Sequence, residues 1–435
     1  MSLCQDKIHN SQHGFLPGKS CTTQLLPFVN DVTLNLNNNV STDIVYFDFA
    51  KAFDTVNHDI ILNKLKYEFK IDGLMLKFLK EYLQNRKQCV VVGDSVSDEL
   101  DVLSGVPQGS IIGPLLFVIF INDIHNCVSP GTNIALYADD TKIWRAINCE
   151  HDCLALQNDI DALSHLSKIN CMFFHPQKCK VLSVSHQINL NILPFMRFTY
   201  TLDNVPLDYC DKENDLGITM HYKLNWNPHC IDIIGKATMR FNLLRRTCHF
   251  VKNSIKRRTL YITLIRSVFE HGSVIWAPSC RTTMAKFEVL QKRCIKWILS
   301  EQFKSYGSDE YLTKLKKLDI LPMKYKFMFT DLVLFHKIVH HHVPIDLPQY
   351  IETKSFTRSS NSDTLSYSIS SHIRNHKRIF QSNFFARCIT PWNALRLDLR
   401  ELSNVIQFSI GIKKHLWERV LRSPDIDQNF EIEPH

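Results

Sequence analysis

The sequence predicts an α+β fold, with strands, hairpins and helices in its first half and mostly helices in its second half. Short apolar, β-branched runs typical of strands lie mainly before residue 225. Long amphipathic patterns typical of helices follow that point. The 435 residues are 45% hydrophobic and 22% charged, with 13 Gly and 16 Pro. This is an ordinary globular composition, and the length suits two or three domains.

The first elements end in acidic residues. Residues 42–49 form an apolar, β-branched run with Asp48 set into its end, which predicts a buried strand that delivers this carboxylate to an edge or cleft. Residues 133–137 and 141–145 predict a tight hairpin with little more than Asp139 and Asp140 between its strands. Two adjacent carboxylates at a hairpin tip are not what folding stability alone would favour.

The remaining elements follow in chain order. Helices are expected at residues 59–69 and 74–84, a hairpin at 89–103, a glycine-bearing loop at 105–113, a helix after Pro114, a helix at 153–166, a strand at 178–185 and a β-rich patch at 198–220. Helices at 228–250, 254–270 and 281–299 come next, then shorter ones to about 342, a Ser- and Thr-rich loop at 355–372 and a folded segment at 380–417.

Several classes of protein are excluded. The longest apolar run, residues 111–121, contains Gly113 and Pro114 and is too short to span a bilayer. The start of the chain lacks the basic and apolar parts of a secretory signal. The 14 cysteines form no CxxC pair, which favours free thiols in a reducing compartment. We expect an intracellular protein, nuclear or cytoplasmic, that is neither secreted nor anchored in a membrane.

Charge is distributed unevenly. Residues 1–180 hold 15 Lys or Arg against 20 Asp or Glu, whereas residues 236–304 hold 15 against 3. An acidic front joined to a basic back half is typical of a metal-dependent enzyme that acts on a polyanion. The alternative is that the basic residues form a solvated helix face.

Asp48, Asp139 and Asp140 could share one site. Carboxylates placed together in a partly dry site need a cation to neutralise them. Oxygen-only ligands favour Mg²⁺ or Mn²⁺ over zinc. Two such ions could activate an attacking hydroxyl and hold a leaving pyrophosphate.

Four motifs occur in an order that resembles a known family. They are FDFAKAFDTV (47–56), SGVPQGSIIGPLLFVIFIND (104–123), YADD (137–140) and HPQKCKVL (175–182). Together they resemble the palm of the reverse transcriptases of non-LTR, LINE-type, jockey-like retrotransposons. QHGFLPGKS (12–20) resembles a segment that precedes this palm, and LGITMHYKLNWNPH (216–229) and RIFQSNFFARCITPWNAL (378–395) resemble regions downstream of it.

The resemblance implies a right-hand polymerase palm, an antiparallel sheet backed by helices, with partial fingers and an all-helical, thumb-like C-terminal half. The implied domains are partial fingers at 1–40, the palm at 41–186, a β-rich connector at 187–225, a basic thumb-like region at 226–345 and a C-terminal region at 346–435. The implied activity is RNA-directed DNA polymerisation, which adds deoxynucleotides to a primer 3′-hydroxyl with two Mg²⁺ or Mn²⁺ ions. The implied partners are an RNA template, a DNA primer and dNTPs.

The resemblance also assigns residues to roles. Asp48 and Asp139 match the principal metal ligands, Asp140 the third carboxylate, and Lys178 the lysine that protonates pyrophosphate, as a buried lysine near phosphate could. Phe53 matches the ring that excludes a 2′-hydroxyl. The residues implied to bind the nucleotide are Phe49, Phe53, Gln108, Gly109, Tyr137 and Ala138.

Other residues have two interpretations. The resemblance implies that Arg245, Arg246 and the Lys256–Arg257–Arg258 triplet contact the backbone of a template–primer duplex, whereas the alternative is a solvated helix face. Lys19 could lie near the triphosphate or could be a solvated loop lysine. Histidines 336 and 340–342 could bind a metal, but a satisfied or solvent-facing cluster at a helix end is favoured, because no acidic or thiol partner has matching spacing.

We expect Met1 to be an internal start in a truncated copy, because the family's fingers extend further upstream. Two functions stay open: an active reverse transcriptase, or an inert remnant that only binds nucleic acid nonspecifically. An RNA-templated RNA polymerase is disfavoured by Phe53.

Overall fold

The structure, a computed structural model, describes residues 6–186, 198–301, 307–353, 365–373 and 378–422. The chain divides into two compact units. The first unit comprises Met1–Gln24 and Asn38–Glu213, and the second comprises Leu25–Asn37 and Asn214–His435. A helix at Cys21–Asn37, α1, contributes residues to both units.

The first unit mixes strands and helices, as predicted. Its strands are β1 Ser41–Phe47, β2 Lys87–Gln88, β3 Val91–Val92, β4 Ser95–Val96, β5 Leu100–Asp101, β6 Thr132–Tyr137, β7 Asp140–Ile147, β8 Lys180–Val184, β9 Thr201–Leu202, β10 Val205–Pro206 and β11 Asp208–Tyr209. Its helices are α2 His58–Tyr67, α3 Gly73–Leu83, α4 Ile112–Phe120 and α5 Glu150–Ile169, with a short 3₁₀ helix at Asn122–Cys127. The strand β12 Lys212–Asp215 lies at the boundary of the units.

A five-stranded sheet in the order β11-β8-β1-β7-β6 organises this unit. Strands β8, β1, β7 and β6 are antiparallel to their neighbours, and only the short β11 pairs parallel, with β8. Residues Ile44 and Val45 of β1 face opposite sides of the sheet, and both are fully buried. The uninterrupted apolar sequence of β1 therefore reflects a central strand that is covered on both faces.

Helices pack against the sheet through one apolar cluster. Val45 of β1, Ile61 of α2, Phe117 of α4 and Leu156 of α5 all belong to it and are fully buried. The fold class is therefore α+β, with an antiparallel-rich sheet backed by helices, as the sequence predicted.

The second unit is mostly helical in its described residues. Its helices are α6 Asn227–Thr247, α7 Ser254–Leu260, α8 Ser267–Glu270, α9 Ser273–Trp276, α10 Arg281–Ile298, α11 Ser308–Lys317, α12 Met323–Val339, α13 Arg378–Gln381, α14 Phe384–Asn393, α15 Leu397–Arg400 and α16 Val405–Arg422. Its strands are β13 Ile218–His221, β14 Ile351–Thr353 and β15 Tyr367–Ile369.

Two details of this unit differ from the sequence expectations. The helix expected at 254–270 is interrupted by a π-helix at Tyr261–Arg266, where the buried guanidinium of Arg266 pairs with Glu270 at 3.0 Å. The loop expected at 355–372 falls partly outside the described residues, and its described end contains β15. The five-part domain division stays a prediction. Among the helices that the structure describes, none has the length and hydropathy of a membrane span.

Candidate active site

Asp48 follows directly after β1, and a loop at residues 171–179 fixes its backbone. Its amide N–H donates to the Cys179 Sγ at 3.4 Å, and its carbonyl accepts from the His175 amide at 2.8 Å. The Lys178 Nζ lies 3.1 Å from the Asp48 Oδ2. The HPQKC segment therefore holds the end of the strand that carries Asp48.

Asp139 lies in the two-residue turn of the β6–β7 hairpin, where Tyr137 pairs with Asp140. Strand β7 also pairs with β1, with Phe47 opposite Thr141. Because Asp48 follows Phe47, the turn comes beside the end of β1. Two sequence motifs that begin 90 residues apart thus meet at one end of the sheet.

The carboxylates of Asp48 and Asp139 lie close enough to interact. Burial, and secondarily the negative charge of Asp48, raises the pKa of Asp139. The buried Asp48 Oδ2 receives no hydrogen bond in this structure, although Lys178 lies near it as an ion pair. Two neighbouring carboxylates, one of them partly buried, are a set of oxygen ligands that suits a hard divalent cation.

Asp140 is placed differently. It is the first residue of β7 and its side chain is exposed, whereas Asp139 is partly buried. Among the residues that the structure describes, no group of three or more His, Cys, Asp or Glu side chains is close enough to hold a metal ion. The structure brings Asp48 and Asp139 within interaction range, but it does not show the expected three-carboxylate cluster.

Phe53 lies on a rigid apolar support. Its ring stacks on that of Phe117 with 4.3 Å between centroids, and the Phe15 ring meets it edge-on at 6.2 Å. Phe117 is fully buried, whereas Phe53 is partly exposed. The ring can therefore present one face to a bound molecule while its other face stays fixed.

Phe49 is buried, which corrects the expectation that its side chain binds the nucleotide. Its side chain is 6% exposed, and its ring stacks on Phe174 at 4.3 Å. The backbones of these two residues form an isolated β-bridge, which turns the Phe49 ring into the core. Phe49 thus supports the strand end from inside and has no accessible face for a nucleotide.

The glycine-bearing loop is open to solvent. Gln108 and Gly109 are both exposed, and the Gln108 Nε2 donates to the Asp54 Oδ1 at 2.8 Å. Gly109 has φ +83°, and a Cβ added there would meet nothing within 4 Å. Glycine is favoured there by backbone conformation and not by crowding.

Lys178 differs from the sequence expectation, because its side chain is 61% exposed and not buried. Lys19 also has a structural partner set. Its Nζ donates to the carbonyls of Asn10 and Gln12 at 2.9 and 2.8 Å, and burial lowers its pKa. Both lysines are therefore held by atoms of the first unit.

Tyr137 and Ala138 form the start of the turn that carries Asp139. The Tyr137 side chain is partly buried, and a hydrogen bond with Cys21, together with burial, raises its pKa. Ala138 is 5% exposed and has φ +58°, a left-handed conformation that costs an L-residue about 1 to 2 kcal/mol.

Sequence reasoning missed the contact that holds this turn. The Gln12 Oε1 accepts from the amides of Ala138 at 2.9 Å and Gly14 at 2.7 Å, and the Gln12 Nε2 donates to the Ala138 carbonyl at 3.4 Å. The only signal was that QHGF precedes the palm motifs. Nothing in the sequence connects two positions that lie 126 residues apart.

The predicted nucleic-acid-binding cations of the second unit differ in their exposure to solvent. Arg245, Arg246 and Lys256 are exposed. Arg257, in contrast, is 6% exposed and donates to the carbonyls of Val251 and Trp297. Its guanidinium satisfies the end of a helix, so the expectation that Arg257 contacts a phosphate is corrected.

Arg258 is partly buried, and its Nε donates to the Leu318 carbonyl at 2.5 Å.

Three of the clustered histidines contact backbone carbonyls of the second unit. The Nε2 atoms of His336, His340 and His342 contact the carbonyls of Leu402, Arg400 and Ser403. Three of the four histidines are therefore held at a helix end by backbone carbonyls, although the buried Nδ1 of His336 has no hydrogen-bond partner among the described residues.

Comparisons with known proteins point to one family. Residues 1–209 match the family described as reverse transcriptase (RNA-dependent DNA polymerase). The chain is 27% identical over 300 residues to the probable RNA-directed DNA polymerase from transposon BS of Drosophila melanogaster, covering 67% of this chain and 32% of that protein. It is 23% identical over 303 residues to the RNA-directed DNA polymerase from mobile element jockey of Drosophila funebris, again covering 67% and 32%.

The chain thus spans about a third of the length of these curated relatives. Among solved structures, telomerase from Candida tropicalis in complex with a fragment of telomeric RNA overlaps 72% of this chain and 51% of that one, with 13% identity and a TM-score of 0.37. Apo telomerase of the same organism overlaps with 9% identity and a TM-score of 0.40. Likeness of this degree carries no inference about function.

Proposed function

We propose that the chain is an RNA-directed DNA polymerase of the reverse transcriptase family, similar to those of the jockey-like non-LTR retrotransposons that it matches. It would add deoxynucleotides from dNTPs to a DNA primer 3′-hydroxyl on an RNA template. The observation that supports this most directly is the meeting of Asp48 and Asp139 at one end of the sheet, where the negative charge of Asp48 adds to burial in raising the pKa of Asp139.

The carboxylates of Asp48 and Asp139 are the proposed holders of divalent metal, and Asp140 is a third ligand if its exposed side chain turns toward them. Oxygen ligands favour Mg²⁺, with Mn²⁺ as a substitute, and two carboxylates suffice when substrate phosphates and water complete the coordination. Two such ions would polarise the reacting phosphate and neutralise the charge that develops on the leaving pyrophosphate.

The other residues are proposed to bind and orient the substrate. The fixed ring of Phe53 would exclude a ribose 2′-hydroxyl, because this group would have neither room nor a polar partner there. Gln108 and Gly109 would approach the incoming nucleotide, while Tyr137 and Ala138 would line the floor beside the primer end. Lys178, once a cation satisfies Asp48, would be released to donate a proton to the leaving oxygen.

The template–primer duplex is the proposed partner of the basic second unit. Arg245, Arg246 and Lys256 carry their charges in solvent, as cations that bind phosphate must. Contacts of this kind are insensitive to sequence, which suits a polymerase that copies any template.

The alternative is a chain that binds nucleic acid without catalysis. The exposed cations of the second unit favour it, since their binding to phosphates does not need the carboxylates of the first unit. The two functions differ in one measurable respect, which is whether product formation depends on the carboxylates.

Primer extension on an RNA template with Mg²⁺ and dNTPs distinguishes them. We expect incorporation by the wild type and by Asp159→Asn, and background incorporation by Asp139→Asn. Asp159 is a matched control because it is a buried aspartate of the same unit, and its carboxylate oxygens accept from the amide and the hydroxyl of Ser129. Equal, background-level incorporation by all three proteins would refute the polymerase assignment.

A further inference from the structure

The segment at residues 11–14 forms an extra strand-like edge on the central sheet. Gln12 bridges Leu136 in parallel, the His13 amide donates to the Leu136 carbonyl at 2.9 Å, and the Leu136 amide donates to the Ser11 carbonyl at the same distance. Strand β6 is an edge strand of the sheet. The segment therefore covers the free edge beside the turn that carries Asp139.

The Gln12 side chain reaches past this pairing to the turn itself. Its amide group contacts both backbone polar atoms of Ala138, and it is 2% exposed. Ala138 directly precedes Asp139 and has a left-handed backbone conformation. A buried peptide group in an unfavourable conformation keeps that conformation only when its surroundings fix it.

The backbone approach beside Gln12 is also close. A Cβ on Gly14 would lie 2.3 Å from the Ala138 amide nitrogen, so only glycine allows this contact. Lys19 contributes from the other side, since its Nζ donates to the Gln12 carbonyl at 2.8 Å. The backbone that follows Gln12 therefore lies directly against the turn that the Gln12 side chain contacts.

We propose that Gln12 is a positioning residue for the reaction, and that it fixes the peptide of Ala138 so that the Asp139 carboxylate is aimed at Asp48. This proposal rests on the proposed function. Gln12 touches neither the reacting atoms nor Asp139 itself. Its effect is on the direction of the Asp139 side chain, and an error of about 1 Å in such a placement can cost about 10²-fold in rate.

The chain contains a matched control for this arrangement. The Gln157 Oε1 accepts from the Thr201 amide at 2.8 Å, and its Nε2 donates to the Thr201 carbonyl at 2.9 Å. Gln157 therefore hydrogen-bonds both the amide and the carbonyl of one residue, as Gln12 does, and it belongs to the same unit. Gln157 lies on α5 and Thr201 on β9, neither of which carries Asp48 or Asp139, so loss of this contact should weaken the fold without changing the turn.

The test replaces each glutamine with methionine, which keeps side-chain length and removes the hydrogen bonds. We expect Gln12→Met to lower kcat for primer extension about 10- to 100-fold with little change in KM for the primer–template, whereas Gln157→Met keeps wild-type kcat. Gln12→Glu retains an acceptor for the Ala138 and Gly14 amides and should recover part of the lost rate. Hydrogen exchange at the Ala138 amide should accelerate in Gln12→Met only.

Equal kcat in Gln12→Met and Gln157→Met, with an active wild type, would overturn the positioning role and leave the polymerase assignment intact. Wild-type protein that incorporates no more than Asp139→Asn would overturn both. If Gln12→Met fails to fold, the comparison is made with Gln12→Asn, whose amide is one methylene too short to keep both hydrogen bonds to Ala138. Wild-type kcat and unchanged exchange at the Ala138 amide in that variant would overturn the proposal.

Discussion

Removing one partner of the buried Arg387–Asp331 ion pair should destabilise the second unit strongly. The Arg387 Nε and Nη2 donate to the two Asp331 carboxylate oxygens at 2.9 Å each, in a two-pronged geometry. The side chains are 14% and 11% exposed. Arg387 also donates to the carbonyls of Ser382 and Val274, so one guanidinium joins three segments of the chain.

The expected cost follows from this burial. Arg387→Met leaves the Asp331 carboxylate charged and without its partner in a largely dry place, which costs about 3 to 5 kcal/mol. At about 2 to 4 °C per kcal/mol for a unit of this size, the melting midpoint should fall by roughly 6 to 20 °C. Replacing both residues, as Arg387→Met with Asp331→Leu, removes the uncompensated charge and should recover most of the loss.

Tryptophan fluorescence can follow this unit. Five of the six tryptophans lie in it, and only Trp144 belongs to the first unit. The control is Arg396→Met, since Arg396 and Asp398 also form an ion pair but their side chains are 75% and 58% exposed. Exposed pairs contribute little, so this variant should melt like the wild type. If Arg387→Met melts no earlier than Arg396→Met, the buried pair does not stabilise the unit as reasoned.

Two further predictions concern the substrate. Phe53→Val should remove the ring that excludes ribose and reduce discrimination in kcat/KM between a dNTP and its rNTP about 10²-fold, measured by single-nucleotide incorporation; an unchanged ratio would exclude Phe53 as the gate. Replacing Arg245, Arg246 and Lys256 together with alanine should make the negative slope of log affinity against log salt shallower by about 2.7, since each phosphate contact contributes about 0.9 to its magnitude. Fluorescence anisotropy with a labelled duplex measures this slope, and a wild-type slope in the variant would exclude these cations from the interface.

The sequence was most informative where a local pattern determines a local structure. The apolar run before Asp48 and the short spacing around Asp139 predicted a strand end and a hairpin turn, and the structure contains both. Their meeting also followed, because a sheet brings strand ends together. The helix beginning near Asn57 was predictable from its capping side chain, which accepts from the amides of Asp59 and Ile60.

Sequence reasoning failed where a side chain's direction depends on long-range packing. Lys256 and Arg257 are neighbours with the same charge, yet helix geometry exposes one and buries the other. Phe49 follows Asp48 by one residue, and its contact with Phe174 turns it inward. The Gln12–Ala138 contact could not be predicted, because no periodicity encodes a pairing across 126 residues.

Manganese binding followed by electron paramagnetic resonance tests most directly whether Asp48 and Asp139 form one cation site. We predict that Asp48→Asn and Asp139→Asn each weaken Mn²⁺ affinity at least about 10-fold, that the double variant loses little more, and that Asp159→Asn binds like the wild type. Retention of wild-type affinity in both single variants, or independent additive losses in the double variant, would contradict a shared site.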